Sequence, residues 1–443
     1  MSAEKVMNRW IVVIGGILIQ LCLGAIYAWS AFTVKLANPP FEFTGTQTQW
    51  VFSLGLASFA FFMALIAGRW QAKSGPRVVA FTGGIVMGLG YIIGWLSGTN
   101  FWGILIGVGL IGGAGIGLAY VCPIAALVKW FPDKKGLITG LAVAGFGFGA
   151  LIWVKLTQGF VFGPVKLTGD WPGLYGMGWT VNQVWLLYGI LFAVLVALGS
   201  IVIVNPPQGW QPKGWTPPAA GAVSDTGVVN FKPGQMVARP QFWGLFLTFV
   251  FGAIAGLMVI GVIKLFGTGK LGEAGLEPQR IDEITGTAMG LFLALFNGLG
   301  RIIWGTISDF TGRKAAIILM CLAQGIMMLV FFWVGGSEWG LYIGAAIIGF
   351  NFGGNFALFP AATADFFGNK KVGENYPFVF LAYGVGGIVG PLLGGAMRDL
   401  GTESGNIGTW MWAFIPAGIA CLLGAVIMIA MRPPKPLPEH HDA

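Results

Sequence analysis

Gly305-Thr-Ile-Ser-Asp309-Phe-Thr-Gly312-Arg313-Lys314 has a partner 237 residues earlier, Gly68-Arg69-Trp-Gln-Ala72-Lys73-Ser-Gly75-Pro-Arg77. Each stretch is a short basic connection between two long apolar runs. The same offset aligns Pro123 with Pro360, and Phe146-Gly-Phe-Gly149 with Tyr383-Gly-Val-Gly386. Separate segments that share one spacing indicate an internal duplication. The chain therefore reads as two related halves.

The composition says in what solvent those halves sit. The chain has 443 residues, 56% of them hydrophobic and only 9% charged, with a mean hydropathy of +0.78. Soluble domains carry about 25% charged residues. Runs near 20 apolar residues span the hydrocarbon core of a bilayer. They fall at 10–33, 47–69, 77–98, 101–128, 136–160 and 182–204, then at 241–266, 285–307, 315–334, 339–364, 374–397 and 407–431. The expected fold is an all-α polytopic membrane protein with 12 transmembrane helices in two six-helix pseudo-repeats. Its parts are an N-terminal bundle (1–204), a linker (205–240) and a C-terminal bundle with a short tail (241–443). Pro206, Pro207, Pro212, Pro217 and Pro218 make the linker read as mobile, polar and little packed. Two parallel six-helix repeats resemble the halves of the major facilitator architecture, which would place a substrate site near the midplane between them.

Seventeen of the 25 Lys and Arg residues lie on the linker side of these spans. By the positive-inside rule both termini and the linker are cytoplasmic, in the cell (inner or plasma) membrane. The same distribution explains the net charge of +8 without nucleic acid. Cys22, Cys122, Cys321 and Cys421 all lie in apolar runs and read as packing residues, not a disulfide framework or a metal site. His440 and His441 sit in a polar tail. Gly107-Val-Gly-Leu-Ile-Gly112 matches a dinucleotide fingerprint in letters only, since no strand precedes it. Gly109, Gly113 and Gly117 instead mark a helix-packing face. No Walker loop is present, and no cofactor or metal is expected.

Arg301 stands out. It lies well inside the apolar run Thr287–Thr306, with no acidic partner in that run. A cation at a helix centre costs roughly 2.5–3.5 kcal/mol even on the lower scales, so such residues face a cavity or partner and mark function. Asn297, one turn earlier, shares its face and can orient the guanidinium or bond a ligand. Asn351 and Asn355 share a face of helix 10 and could line the cavity or bond across helices. Lys155 and Lys264 fall near the outer helix ends and read as snorkelling interfacial anchors. No Asp or Glu is expected deep in a span.

Trp130-Phe-Pro-Asp-Lys-Lys-Gly136, Met236-Val-Ala-Arg-Pro-Gln-Phe-Trp243, Phe296-Asn-Gly-Leu-Gly-Arg301, Phe356-Ala-Leu-Phe-Pro360 and Glu374-Asn-Tyr376 narrow the reading. Together they resemble the oxalate/formate antiporter family of the major facilitator superfamily, close to monocarboxylate carriers including bacterial lactate transporters. Gly305–Lys314 resembles the superfamily's cytoplasmic loop signature, with Asp309 and Arg313 as gate residues. The first-half copy departs from it at Ala72. The resemblance implies that Arg301 receives a substrate carboxylate. It also implies an aromatic site from Tyr27, Tyr120, Phe146, Phe352, Phe356 and Phe380, with Tyr383 where the oxalate carrier has a lysine. Animal monocarboxylate transporters have an aspartate where this chain has Asn297.

The charge count then bears on the substrate. A dianion in a dry site needs about two cationic partners, because an unpaired buried charge costs several kcal/mol. One arginine suits a monocarboxylate such as lactate, pyruvate or formate. The expected function is secondary active transport of such an anion by alternating access, coupled to protons and performed by a monomer in the lipid bilayer. The alternatives are an oxalate/formate-type anion exchanger and a non-transporting membrane sensor; an enzyme is not expected.

Overall fold

A computed structural model describes residues 7–133, 135–159, 171–207, 210–212, 231–368, 372–432 and 434. Linker positions 208–209 and 213–230, and the tail histidines His440 and His441, lie outside them. Twelve helices are long and apolar enough to cross a membrane. They are α1 Arg9–Ala37, α2 Gly45–Ser74, α3 Pro76–Leu96, α4 Phe101–Trp130, α5 Lys135–Gln158 and α6 Val181–Val202. The second set is α7 Pro240–Glu273, α8 Pro278–Thr311, α9 Arg313–Val334, α10 Glu338–Phe367, α11 Val372–Ser404 and α12 Ile407–Ala430. Several exceed their apolar runs because each helix continues until a cap or a break stops it. Thr44 and Thr180 close capping boxes on α2 and α6, and Ser337 caps α10.

The duplication is visible in the backbone. Gly75 and Gly312, 237 residues apart, end α2 and α8 with φ of 81° and 82°. Only glycine enters that region without strain, so both connections turn sharply at the same place. Pro123 lies inside α4 and Pro360 inside α10. The glycine face of α4 packs as its spacing requires. A Cβ at Gly109 would stand 3.0 Å from the Val51 carbonyl oxygen, and Gly113 and Gly117 abut the carbonyls of Gly55 and Phe59 on α2. Lipid-facing positions such as Ile14, Leu198, Trp339 and Ile429 carry exposed apolar side chains. All four cysteines are buried and free.

The two ends of the linker are packed, against expectation. Trp210 sits edge-on to Trp130 at 4.8 Å. Phe231 and Met236 are fully buried, and Pro233–Val237 is a short helix. Phe231 donates its amide to the Phe367 carbonyl, accepts from Asn375 Nδ2 and lies under the Arg239 guanidinium. Isolated large apolar residues in a Pro-rich stretch were enough to anchor it, a signal that composition averages away.

On the face away from the linker, hereafter the far face, the halves are held together by polar contacts. Gly45 and Thr46, at the start of α2, donate their amides to the two Asp399 oxygens of α11 at 2.5 and 2.7 Å. Gln49 Nε2 donates to the Gly261 carbonyl, and Ser53 Oγ to that of Ile388. The Lys264 amide donates to Ser30 Oγ. These bonds close the space between the halves above the midplane.

Candidate functional site

The centre of the molecule is an aromatic cage drawn from both halves. Tyr27 of α1 meets Phe146 of α5 and Phe352 of α10 edge-on at 5.0 and 5.6 Å. Tyr120 of α4 packs on Phe146 at 5.2 Å and on Phe380 at 6.1 Å. Phe356 contacts Phe352, Phe380 and Tyr383. The Tyr27 and Tyr383 hydroxyls share a hydrogen bond of 3.1 Å between the halves. All these side chains are buried. Tyr383 and Phe146 correspond in the duplication, yet each has Tyr27 as a direct partner, so α1 inserts between them.

Arg301 reaches into this cage and is 1% exposed. Its Nε donates to Asn297 Oδ1 at 3.2 Å, and its Nη1 to the Val143 carbonyl of α5 at 2.8 Å. Its Cζ lies 4.0 Å from the Phe356 centroid and 5.4 Å from that of Phe146. Flat guanidinium on a ring face is a favourable cation–π geometry. The remaining fork nitrogen, Nη2, has no hydrogen-bond partner, and neither has Asn297 Nδ2. Buried donors of this kind are seldom left unsatisfied, and each calls for an explanation. α5 and α8 can meet so closely because a Cβ on Gly147 would fall 2.9 Å from Gly298 Cα.

The expected aromatics Tyr27, Tyr120, Phe146, Phe352, Phe356, Phe380 and Tyr383 come together there with Asn297 and Arg301. Phe59 of α2 was missed. It touches Tyr120, Phe146, Phe380 and Tyr383 at 5.0–5.7 Å, so it ties the cage together. Nothing in sequence separates it from the other phenylalanines, of which the chain has 35. The Val143 carbonyl was missed for the same reason, since a backbone acceptor carries no letter. Asn351 and Asn355 are buried on α10. Asn355 Nδ2 bonds the Phe352 carbonyl within α10, and its unpartnered Oδ1 faces Gly252 of α7.

Asp309 and Arg313 lie at the linker face, not in the cage. Arg313 pairs with Asp309 at 2.7 Å and reaches Asp365 at 3.8 Å, a clamp within the second half. Ala72 leaves the first half without a counterpart to Asp309.

Two expectations need correction. Lys155 and Lys264 do not snorkel; each is 4% exposed. Lys264 Nζ holds Asp282 Oδ1 at 2.6 Å. Asp282 escaped notice because the apolar run of α8 begins at 285, whereas the helix begins at Pro278. α7 and α8 pack beyond the apolar core, and that extension brings the pair together.

A membrane protein of twelve helices in two repeats, with one buried arginine in an aromatic cage between them, defines a class. The family model of the Major Facilitator Superfamily matches residues 12–376 and 282–443, and the chain belongs to that superfamily. It is 26% identical to the oxalate:formate antiporter of Oxalobacter formigenes, over 96% of this chain and 92% of that one. It is 24% identical to apicoplast pyruvate carrier 1 of Toxoplasma gondii, over 86% and 82%. A crystal structure of a bacterial homolog of the human lysosomal transporter Spinster, inward-facing and unoccupied, superposes with a TM-score of 0.59. It is 16% identical and covers 97% of this chain and 96% of that one. The last likeness concerns the fold alone.

Proposed function

We propose that this protein is a secondary transporter of small monocarboxylates of the lactate, pyruvate or formate type. The observation that carries the reading is the pair of unpartnered donors, Arg301 Nη2 and Asn297 Nδ2, one turn apart and buried in the cage. A carboxylate placed there satisfies both, and charge-assisted bonds to a guanidinium are about twice as strong as neutral ones. Arg301 is the one cation against the cage rings among the described residues. A single negative charge is therefore balanced and a second is not. The phenols of Tyr27, Tyr120 and Tyr383 offer neutral hydrogen bonds to a keto or hydroxyl group.

Transport follows by alternating access. The bundles 1–204 and 241–443 rock about the cage, joined through 205–240. Far-face closure by Asp399 and Ser30 alternates with opening there. The far face is taken as the outside of the cytoplasmic membrane, with termini and linker within, and the working unit as a monomer. Coupling to protons fits import against a gradient, the proton travelling with the anion. Anion exchange is the second reading, supported by the antiporter relative and by the cage's lack of a carboxylate among the described residues. The test is lactate uptake into proteoliposomes. Saturable uptake with lumenal acidification, lost in Arg301→Ala at normal expression, is the expected result. Uptake unimpaired in that variant refutes the site. Uptake that needs an internal anion and moves no protons establishes exchange instead.

A further inference from the structure

We propose that Lys264 forms a second carboxylate-binding subsite on the far-face side of the cage, which Asp282 fills from within the protein in this conformation. The inference rests on the transport reading above. The Lys264–Asp282 pair is lopsided: the lysine side chain is 5% exposed and the aspartate 61%. The ammonium is fixed in the interior, while its partner hangs at the wet edge and can leave for water at little cost. An ammonium left buried and alone is a different matter. So Lys264 needs a carboxylate, but any carboxylate serves, and exchanging Asp282 for a ligand's keeps the charge balance.

The surroundings are those of a built site. Lys155 of α5 is equally buried and crosses between the halves, its Cε 3.3 Å from where a Cβ on Gly290 of α8 would lie. Gln158 Oε1, one turn on, faces Gly286 and has no hydrogen-bond partner. The Tyr175 hydroxyl is likewise buried without a partner, under the Lys35 ammonium at 4.6 Å from its ring. Between these groups α8 widens into i→i+5 turns at Ala288–Leu293. Such turns are frequent at functional sites. Gly290 lies about 17 Å along α8 from Arg301 at 1.5 Å per residue. The subsite is therefore separate from the cage and lies between α1, α5, α7 and α8, of which α1, α5 and α8 also contribute to the cage. An anion entering through an opened far face meets Lys264 first, displaces Asp282, and then descends to Arg301.

The test is formate binding to the full chain in lipid nanodiscs, followed by line broadening of 13C-formate. In the Arg301→Ala background the residual binding reports the second subsite alone. The expected result is that this binding persists, weakens at least fivefold on adding Lys264→Gln, and tightens at least threefold on adding Asp282→Asn. Loss of all formate binding in Arg301→Ala, or no response to Lys264→Gln, overturns the subsite. If Lys264→Gln fails to insert, Lys264→Met with Asp282→Leu removes both charges together and must abolish the residual binding. The cage is judged separately, by lactate uptake in wild type against Arg301→Ala, so failure of either proposal is distinguishable.

Discussion

The hydroxyl oxygens of Tyr27 and Tyr383 lie 3.1 Å apart, one from each half of the chain. In the transport reading this bond is the roof of a cage whose floor is Arg301. Both phenols are buried, and the bond is neutral. A neutral hydrogen bond contributes about 1 kcal/mol net, so a ligand group can replace it.

Replacing Tyr383 by lysine puts a second cation beside that roof. Tyr383→Lys should move preference from lactate towards oxalate, with oxalate inhibition of uptake strengthening at least tenfold. Competition of labelled lactate uptake by unlabelled oxalate measures it. Unchanged oxalate inhibition would show that charge count does not set specificity here.

Asn297→Asp places a carboxylate against Arg301 Nε, where the amide oxygen now sits at 3.2 Å. The arginine would then be neutralised before any substrate arrives. Lactate KM at neutral pH should rise about tenfold, equivalent to ~1.4 kcal/mol. Acid should restore it, because protonating the aspartate frees the guanidinium: stability of the internal pair is present above the carboxyl pKa and lost below it. The pH profile of KM checks this, and a flat profile contradicts it.

Gly147→Val drives a branched side chain into the backbone of α8, 2.9 Å from the Cβ position. Uptake should fall more than tenfold while Arg301-independent folding, read as thermal stability in detergent, drops by no more than a few degrees. A variant with full uptake would mean that α5 and α8 do not need this approach during the cycle.

Asp399 caps the first-turn amides of Gly45 and Thr46 on α2 from the opposite half, which in the transport reading holds the far face closed. A cap of this kind is worth about 0.5–2 kcal/mol. Asp399→Ala should therefore shift the population towards far-face opening by roughly two- to thirtyfold, 1.36 kcal/mol being tenfold. A cysteine placed at Gln49, labelled by an impermeant maleimide, should react correspondingly faster. Equal labelling rates would remove Asp399 from the gate.

The sequence by itself determined the number of spans, the duplication and the presence of a lone arginine, Arg301, within a span. Hydrophobic length is a local property, and a lone cation in an apolar run is conspicuous against it. The aromatic residues of the cage were legible through resemblance, with Phe59 the exception because its chemistry matches dozens of other positions. Only the tertiary structure decided what each polar group meets. Val143 serves Arg301 through a carbonyl that every residue has. Asp399 caps a helix that begins 354 residues earlier. Lys155 and Lys264 looked like interfacial anchors by depth alone, yet depth along a helix does not say which side it presents. The packing of α5, α7 and α8 turned both lysines inward, and a buried ammonium must find a counter-charge, which for Lys264 is Asp282.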